Sequence, residues 1–158
     1  LQSFASTCST LVSNIIGEGH QDKVLSLVKR ILKLSFGTVC SMMIAFCIFP
    51  EAIARIYTDI PNLVTASVPA LIVMCSSYFF QVPGMVFFQA VSGTGSTKTA
   101  FRLELAALII YVAYCTAIIA VMKADIAICW TAEHVYAASM MVLCYIYLKS
   151  GRWKNRKI

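Results

Sequence analysis

A turn rich in glycine and threonine, Gly93-Thr94-Gly95-Ser96-Thr97-Lys98-Thr99, contains the residue types that bind phosphate in nucleotide-binding loops. Such a loop needs a glycine directly before its lysine, and it follows a strand. Here Thr97 occupies that position, and an apolar, helix-like run precedes the turn. The spacing of a dinucleotide-binding loop is missing as well. We therefore predict a turn that ends one helix and begins the next, because glycine tolerates the positive φ angles of such turns.

Three ionisable residues, Glu104, Glu133 and His134, lie in or beside apolar segments, where charged groups are costly and often functional. Glu133 and His134 could form a proton-handling pair. Trp130, however, places a membrane interface about one helical turn away, which favours a structural or interfacial role. Glu104 directly follows the glycine turn. At 1.5 Å per residue we expect it roughly 25 Å from Glu133, at the opposite face of the membrane.

The sequence offers no set of side chains for catalysis or for a metal. It contains no serine–histidine–aspartate set, no HExxH motif and no cluster of ligand residues. Its seven cysteines are scattered through apolar runs without CxxC spacing, so we expect them to pack as small apolar side chains. We predict that the chain is not an enzyme and holds no cofactor.

The longest apolar segment, residues 63–91, has no charge over about 29 residues, more than the ~30 Å that a bilayer requires. We expect Pro69 and Pro83 to interrupt its helix. Six side chains fall within about 120° of one helical face: Ser77, Tyr78, Gln81, Met85, Phe88 and Gln89. Two interpretations remain open: polar packing between helices, or the wall of a cavity for bulky, often cationic ligands.

Composition indicates a membrane protein. Of 158 residues, 59% are hydrophobic and only 13% are charged, whereas soluble domains are about a quarter charged. We predict an all-α polytopic protein with full spans at about 31–49, 63–91, 105–122 and 130–148, and the end of a fifth at about 1–16. The serines and threonines of residues 1–16 are expected to let that helix pack closely against its neighbours.

Positive charge is concentrated in alternate connections. An amphipathic basic helix at about 21–33, the turn at 98–102 and the C-terminal tail carry all of the 13 lysines and arginines except Arg55 and Lys123. Because cytoplasmic connections are rich in lysine and arginine, we predict that the glycine turn and the C-terminus are cytoplasmic. The net charge of +6 then marks a membrane face, and no nucleic-acid partner is expected.

Four segments resemble, in order and spacing, landmarks of the multidrug and toxic compound extrusion (MATE) transporters. They are Thr10–Gly19, the turn Ile56-Tyr57-Thr58-Asp59, the segment Gln89–Thr99, and the pair Trp130–Glu133 and Tyr147–Lys154. The resemblance covers essentially the whole chain. Ser96 departs from it, standing where the family usually has aspartate or asparagine, and Asn14 stands where glutamine is common.

The resemblance implies a twelve-helix transporter of two six-helix lobes, in which residues 1–158 form spans eight to twelve. No signal peptide is recognisable and the chain begins at Leu1, so we expect the C-terminal piece of a longer protein. In this family the eighth, tenth and eleventh spans line a central cavity. That favours the cavity interpretation of the six residues above and adds Tyr111. Because residues 63–91 contain no carboxylate, the coupling cation (H⁺ or Na⁺) is expected to bind outside this chain.

The implied function is secondary active transport: a proton- or sodium-coupled antiporter that exports organic, often cationic, drugs or toxic compounds by alternating access. Expected partners are small organic substrates, the lipid bilayer of the plasma (inner) membrane and a remaining N-terminal lobe. The alternatives are a flippase for lipid-linked oligosaccharides of the same superfamily, a non-transporting scaffold and part of an intramembrane enzyme. A scaffold would bury Ser77 and Gln81 against neighbouring helices, and an enzyme would need catalytic acids or histidines elsewhere.

Overall fold

Seven α-helices build the chain in a computed structural model that describes residues 1–122 and 125–154, without the side chains of residues 121, 122 and 127. They are α1 Gln2–Gly17, α2 Val24–Ile48, α3 Pro50–Tyr57, α4 Pro61–Gly93, α5 Thr97–Thr116, α6 Ile126–Cys129 and α7 Thr131–Ser150. A 3₁₀ turn, Gln21–Lys23, leads into α2, and a π-helical segment, Ala117–Met122, continues α5. No strand occurs in the described residues, which confirms the all-α prediction. The predicted connection at Lys123 and the last four residues of the tail lie outside them.

Within the residues that the structure describes, three helical segments are long and apolar enough to cross a membrane: Gln21–Ile48, Pro61–Gly93 and Thr97–Ala120. The helix α7 is not among these three. The predicted count of four full spans and one partial span, and its two-lobe context, therefore stay predictions.

The helix α4 runs unbroken for 33 residues from Pro61 to Gly93, with Pro69 and Pro83 inside it. The expectation that these prolines interrupt the helix is wrong. A proline removes one backbone hydrogen bond and leaves one carbonyl without its helical donor, and neighbouring helices in a membrane protein can compensate for this. Pro83 is buried. Pro50 does act as a boundary, because α2 ends at Ile48 and α3 begins at Pro50.

The helices α4 and α7 lie side by side and run in the same direction, with α5 antiparallel to α7. Gln81 and Phe87 of α4 meet Glu133 and Tyr145 of α7 in the same order along both chains. Along α5 the order is reversed, since Ser96 meets the end of α7 and Tyr114 meets its beginning. These three helices, together with Leu1, line the space that the candidate site occupies.

The apolar core is concentrated at one end of the bundle, which we call the basic end. Here α1 and α7 end, α2 begins and the glycine turn joins α4 to α5. The core side chains of this end include Val12, Ile16, Val24, Val28, Val91, Leu148 and Trp153. At the other end, called the far end, large apolar side chains such as Ile48, Phe49 and Tyr57 are mostly exposed. An exposed apolar surface of this kind suits contact with lipid.

Residues 1–16 pack in part as the sequence predicts, since Ser9 and Ser13 contact α4 closely. The face of α1 that packs is apolar and consists of Ala5, Cys8, Val12 and Ile16. The hydroxyl residues Ser3, Ser6, Thr7 and Thr10 are exposed on another face. Three of their hydroxyl groups donate to carbonyls one turn earlier on the same helix, those of Ser6 and Thr7 to Ser3 and that of Thr10 to Ser6. These four residues thus form a polar surface, whereas the contact of α1 with α4 is made at Ser9 and Ser13.

Two glycines of α4 bring its backbone against neighbouring helices. A Cβ atom at Gly93 would lie 2.5 Å from the carbonyl oxygen of Ser9 in α1, and one at Gly84 would lie 3.0 Å from that of Ala137 in α7. The Ser13 hydroxyl also donates to the Gly93 carbonyl over 2.8 Å. The basic end therefore holds α1 and α4 at a separation that only glycine permits.

Candidate functional site

A cavity of about 230 Å³ lies between α4, α5 and α7. Carboxylate, amide, aromatic and thioether side chains share its wall. The helix α4 contributes Gln81, Met85 and Phe88; α5 contributes Glu104; and α7 contributes Glu133, Tyr136 and Met140. Three of the residues expected from the long apolar run, Gln81, Met85 and Phe88, thus meet at one site.

Glu104 and Glu133 both line this cavity, although the sequence suggests opposite faces of the membrane. Tyr114 of α5 lies level with Thr131 of α7, as shown by the 3.0 Å contact between their hydroxyl oxygens. From that register the two carboxylates are separated along the bundle axis by about 12 Å, at 1.5 Å per residue. The sequence estimate of roughly 25 Å is too long because it placed each residue at a helix end. The separation still excludes a shared carboxylate dyad.

Gln81 joins the cavity wall of α4 to Glu133. Its amide nitrogen donates to the Glu133 carboxylate over 3.2 Å and lies 3.4 Å from the Ser77 hydroxyl oxygen. The Ser77 hydroxyl in turn donates to the Met74 carbonyl over 2.7 Å. Both amide hydrogens of Gln81 are thereby used. The chain of donors fixes the position of the Glu133 carboxylate at the cavity.

Tyr111 stands behind the cavity wall. Its ring meets that of Tyr136 edge to face, with 5.8 Å between centroids. Tyr136 itself lines the cavity. Tyr111 therefore supports a wall residue, since such aromatic pairs add roughly 0.5–1.5 kcal/mol beyond their buried area.

The other residues expected at the site are placed elsewhere. Ser77 is fully buried beneath Gln81. Tyr78 lines a second cavity of about 300 Å³ that lies between α2 and α4 and contains Met42, Phe46 and Met74. Gln89 is half-buried and lines neither cavity. The six residues predicted to share one face of α4 are thus not all at one site, because Tyr78 lines a different cavity from Gln81, Met85 and Phe88.

His134 forms a polar contact with α4 that the sequence did not predict. Its Nε2 atom lies 2.8 Å from the Ser76 hydroxyl oxygen, and its Nδ1 atom is buried without a hydrogen-bond partner. The ring of Phe80 lies 6.2 Å from the imidazole, centroid to centroid. The sequence does contain polar residues on both sides of this contact. Ser76, Ser77 and Gln81 interrupt the apolar run of α4, and Glu133 and His134 are adjacent in α7. The sequence does not show that α4 and α7 lie side by side, so the contact could not be predicted.

The glycine turn is structural, as its sequence predicts. Gly95 has a φ angle of 74°, and the turn ends α4 at Gly93 and precedes α5 at Thr97. Ser96 is fully buried, and its hydroxyl oxygen accepts a hydrogen bond from the Tyr147 hydroxyl over 3.0 Å. The turn therefore binds the end of α7 to the start of α5.

No group of three histidine, cysteine, aspartate or glutamate side chains that could hold a metal ion occurs in the described part of the chain. Three of the seven cysteines, Cys8, Cys75 and Cys144, are buried, as expected of small apolar side chains, whereas Cys47 is exposed and the other three are partly buried.

The family model MatE matches residues 1–117. The chain belongs to the MatE family. This confirms the resemblance, of whose four motif segments the first three lie within the matched residues, and it makes the chain part of a membrane transporter of MATE type. No curated protein and no solved structure is similar enough to be matched with the chain.

The matched residues include α1 to α5, and therefore the α4 and α5 walls of the cavity. The third wall, α7, begins at Thr131, beyond the range matched to MatE. Glu133 and His134 are thus assigned to the site by the contacts of α7 with α4. These contacts join the α4 wall of the cavity to the α7 wall.

Proposed function

We propose that the chain is part of a cation-coupled antiporter that exports organic cations through the cavity between α4, α5 and α7. The transporter works by alternating access in the plasma membrane, with the basic end in the cytoplasm. The concentration of lysine and arginine at the basic end supports this orientation.

The observation that carries the proposal is the pairing of two carboxylates with aromatic and thioether side chains in one cavity. Phe88, Tyr136, Met85 and Met140 provide an apolar, polarisable wall, and such walls bind lipophilic organic groups. Glu104 and Glu133 provide negative charge at two levels of the same space. A lipophilic cation is the ligand class that uses both features.

The size of the cavity also bears on the proposal. At about 230 Å³ it is smaller than the ~300–1,000 Å³ typical of sites for drug-sized ligands. We infer that a second wall comes from another part of the transporter. The exposed hydroxyl groups of α1, including Ser6 and Thr10, support an aqueous path on this side of the bundle, because lipid is a poor environment for a polar surface.

The scaffold alternative predicts that Ser77 and Gln81 are both buried against neighbouring helices. Ser77 is fully buried, but Gln81 lines the cavity beside Glu133. A purely structural polar contact does not require an open cavity at that point. The geometry therefore favours transport over a scaffold role.

The test compares a lipophilic cation with a neutral molecule of similar shape. The intact transporter is reconstituted in liposomes, and efflux of tetraphenylphosphonium and of triphenylphosphine oxide is measured under a proton gradient and under a sodium gradient. We expect Glu133→Gln and Glu104→Gln each to lower cation efflux at least tenfold, equivalent to about 1.4 kcal/mol, with a smaller effect on the neutral compound.

Glu18→Gln is the matched control, because Glu18 is exposed at the end of α1 and does not line the cavity. It should leave efflux of both compounds unchanged. Absence of efflux under either gradient would contradict the proposed function. Equal losses for the cation and the neutral compound would contradict the role of the two carboxylates.

A further inference from the structure

We propose that the cavity between α2 and α4 binds one soft monovalent metal ion, of the Cu(I) and Ag(I) class, through sulfur ligands. The ligands are the thioethers of Met42, Met43 and Met74 and the thiols of Cys47 and Cys75. This adds a metal site that the sequence did not predict. The inference is independent of the proposed antiport function, because it concerns a different cavity from the one between α4, α5 and α7.

Sulfur-bearing side chains are concentrated at this cavity. Three of the seven methionines, Met42, Met43 and Met74, line its space of about 300 Å³ together with Cys75. Cys47 follows Met43 by four residues on α2, so both lie on the same face of that helix. A side-chain hydrogen bond joins the Cys47 thiol to the Cys75 thiol. Thiols from two helices thus meet beside three thioethers.

Packing alone does not account for this arrangement. Packed protein interiors leave few voids larger than a water molecule, yet these side chains border an open space of about 300 Å³. Exposure differs strongly across the cavity, since Cys75 is 4% exposed and Met42 is 59% exposed. Met43 and Met74 are half-buried. A solute can therefore reach a buried thiol from an open side of the cavity.

The donor atoms select the class of metal. Thiolate and thioether sulfur are soft ligands that suit Cu(I), whereas hard cations such as Mg²⁺ prefer oxygen. Structural Zn²⁺ takes four ligands from cysteine, histidine or carboxylates, and iron–sulfur clusters generally take four cysteines. Among the described residues, this cavity has two thiols and is lined by no histidine or carboxylate. The three thioethers complete a ligand set that favours Cu(I) and Ag(I).

Charge also favours a monovalent ion. The Cys75 thiol loses its proton when it binds the metal, and the proton leaves to water at the open side of the cavity. One thiolate neutralises one monovalent cation, while the second thiol and the thioethers are neutral ligands. The filled site therefore carries no net charge, which matters because an uncompensated charge in an apolar environment is costly. The metal keeps its oxidation state, so binding needs no oxidant or reductant.

The experiment measures Cu(I) affinity of the intact transporter. The protein is purified in detergent without oxygen or added thiols, and it competes for Cu(I) with the chromophoric chelator bicinchoninate. Cys75→Ser removes the buried thiol, and Met43→Leu combined with Met74→Leu removes two thioethers at nearly constant volume. Changes to groups that only support a metal ligand cost about 10–100-fold in affinity. Loss of the ligands themselves should therefore lower Cu(I) affinity at least about 100-fold in each variant.

Cys40→Ser and Met141→Leu are the matched controls. Both residues are half-buried, in α2 and α7 respectively, and neither lines this cavity. Both substitutions should leave the Cu(I) affinity unchanged. The comparison separates this cavity from sulfur ligands elsewhere in the transporter.

Alkylation of Cys47 gives a second readout that does not require Cys75→Ser to fold. Cys47 is exposed, so N-ethylmaleimide should modify it, as measured by mass spectrometry of its peptide. Ag⁺ at a concentration that just saturates the unaltered transporter should slow this reaction at least about tenfold, because the metal occupies the thiol. The protection should be lost when Met43→Leu and Met74→Leu are combined.

Three results would overturn the proposal: failure of the unaltered transporter to compete for Cu(I), equal losses of affinity in the controls, or displacement of the metal by equimolar Zn²⁺. Alkylation of Cys47 that Ag⁺ does not slow would overturn it as well. None of these results bears on tetraphenylphosphonium efflux, which tests the proposed function separately.

Discussion

The two ends of the bundle are built from different interactions. At the basic end, helices are joined mainly by fully buried apolar side chains and by backbone contact, such as the approach of Gly93 to Ser9, with a few hydrogen bonds such as that of Tyr147 to Ser96. At the far end they are joined by hydrogen bonds between polar side chains: Ser76 with His134, Gln81 with Glu133, and Tyr114 with Thr131. Apolar close packing has no alternative partner, whereas a polar side chain can exchange its partner for water or a solute.

This difference indicates in which part of the molecule the helices can change their relative positions. The cavity reaches from the polar contact of Gln81 with Glu133 to Met140 of the apolar core, and most contacts that only one geometry satisfies lie at the basic end. A transporter that alternates between two states needs both properties. The comparison predicts that equivalent substitutions have larger effects on stability at the basic end.

The largest difference is expected between the two tryptophans of the chain. Trp153 is 2% exposed at the basic end, and its indole nitrogen donates to the Leu148 carbonyl over 2.9 Å. Trp130 is 38% exposed at the far end. Trp153→Ala should lower the free energy of unfolding by roughly 3 kcal/mol, whereas Trp130→Ala should lower it by less than about 1 kcal/mol. Thermal unfolding in detergent measures both, and equal shifts in Tm would contradict the comparison.

A smaller effect is expected from adding a methyl group to a glycine of α4. Gly93→Ala places a Cβ atom 2.5 Å from the Ser9 carbonyl oxygen, so α1 and α4 must separate. We expect a loss of about 2 kcal/mol, typical of overpacking. Gly37→Ala in α2 is the control, since nothing lies within 4 Å of the added atom. It should be neutral or stabilising by roughly 0.5–1 kcal/mol. A neutral Gly93→Ala would show that the two helices are not fixed there.

The smallest effect is expected from removing single hydroxyl groups. Tyr147→Phe leaves the fully buried Ser96 hydroxyl without its donor, which should cost about 1 kcal/mol. Tyr114→Phe removes a similar bond at the far end, but the Thr131 hydroxyl still donates to the Ile128 carbonyl. We expect Tyr114→Phe to cost less. Chemical denaturation of the two variants side by side measures the difference, and a larger cost for Tyr114→Phe would reverse the comparison.

Local sequence patterns predicted the local structure well. The glycine turn, the boundary at Pro50 and the membrane character depend on backbone conformation or composition, which neighbouring residues determine. The prolines of α4 show the limit of such reasoning. Whether Pro69 breaks a helix depends on what packs around it, and the sequence of one helix does not contain that information.

The candidate site was predicted in part because it depends on how helices align. The face of α4 was recognisable, and Gln81, Met85 and Phe88 do meet at one cavity. The joint placement of Glu104 and Glu133 follows from the register of α5 against α7, which no periodicity reveals. The packing predicted for the hydroxyl residues of α1 holds at Ser9 and Ser13, which contact α4, whereas Ser6 and Thr10 are exposed. Small polar side chains suit a tight contact and a water-facing surface equally well, so the sequence does not separate the two.

The two prolines inside α4 have a mechanical consequence. A proline has no backbone hydrogen to donate, so α4 can bend at Pro69 and at Pro83 without losing a hydrogen bond that the straight helix would have. The segment between them carries Ser76 and Gln81, the residues that bind α7. Beyond Pro83, α4 is held by Gly84 and Gly93 against its neighbours. The segment of α4 between Pro69 and Pro83 can therefore tilt relative to the segment that follows Pro83, which Gly84 and Gly93 hold against the neighbouring helices.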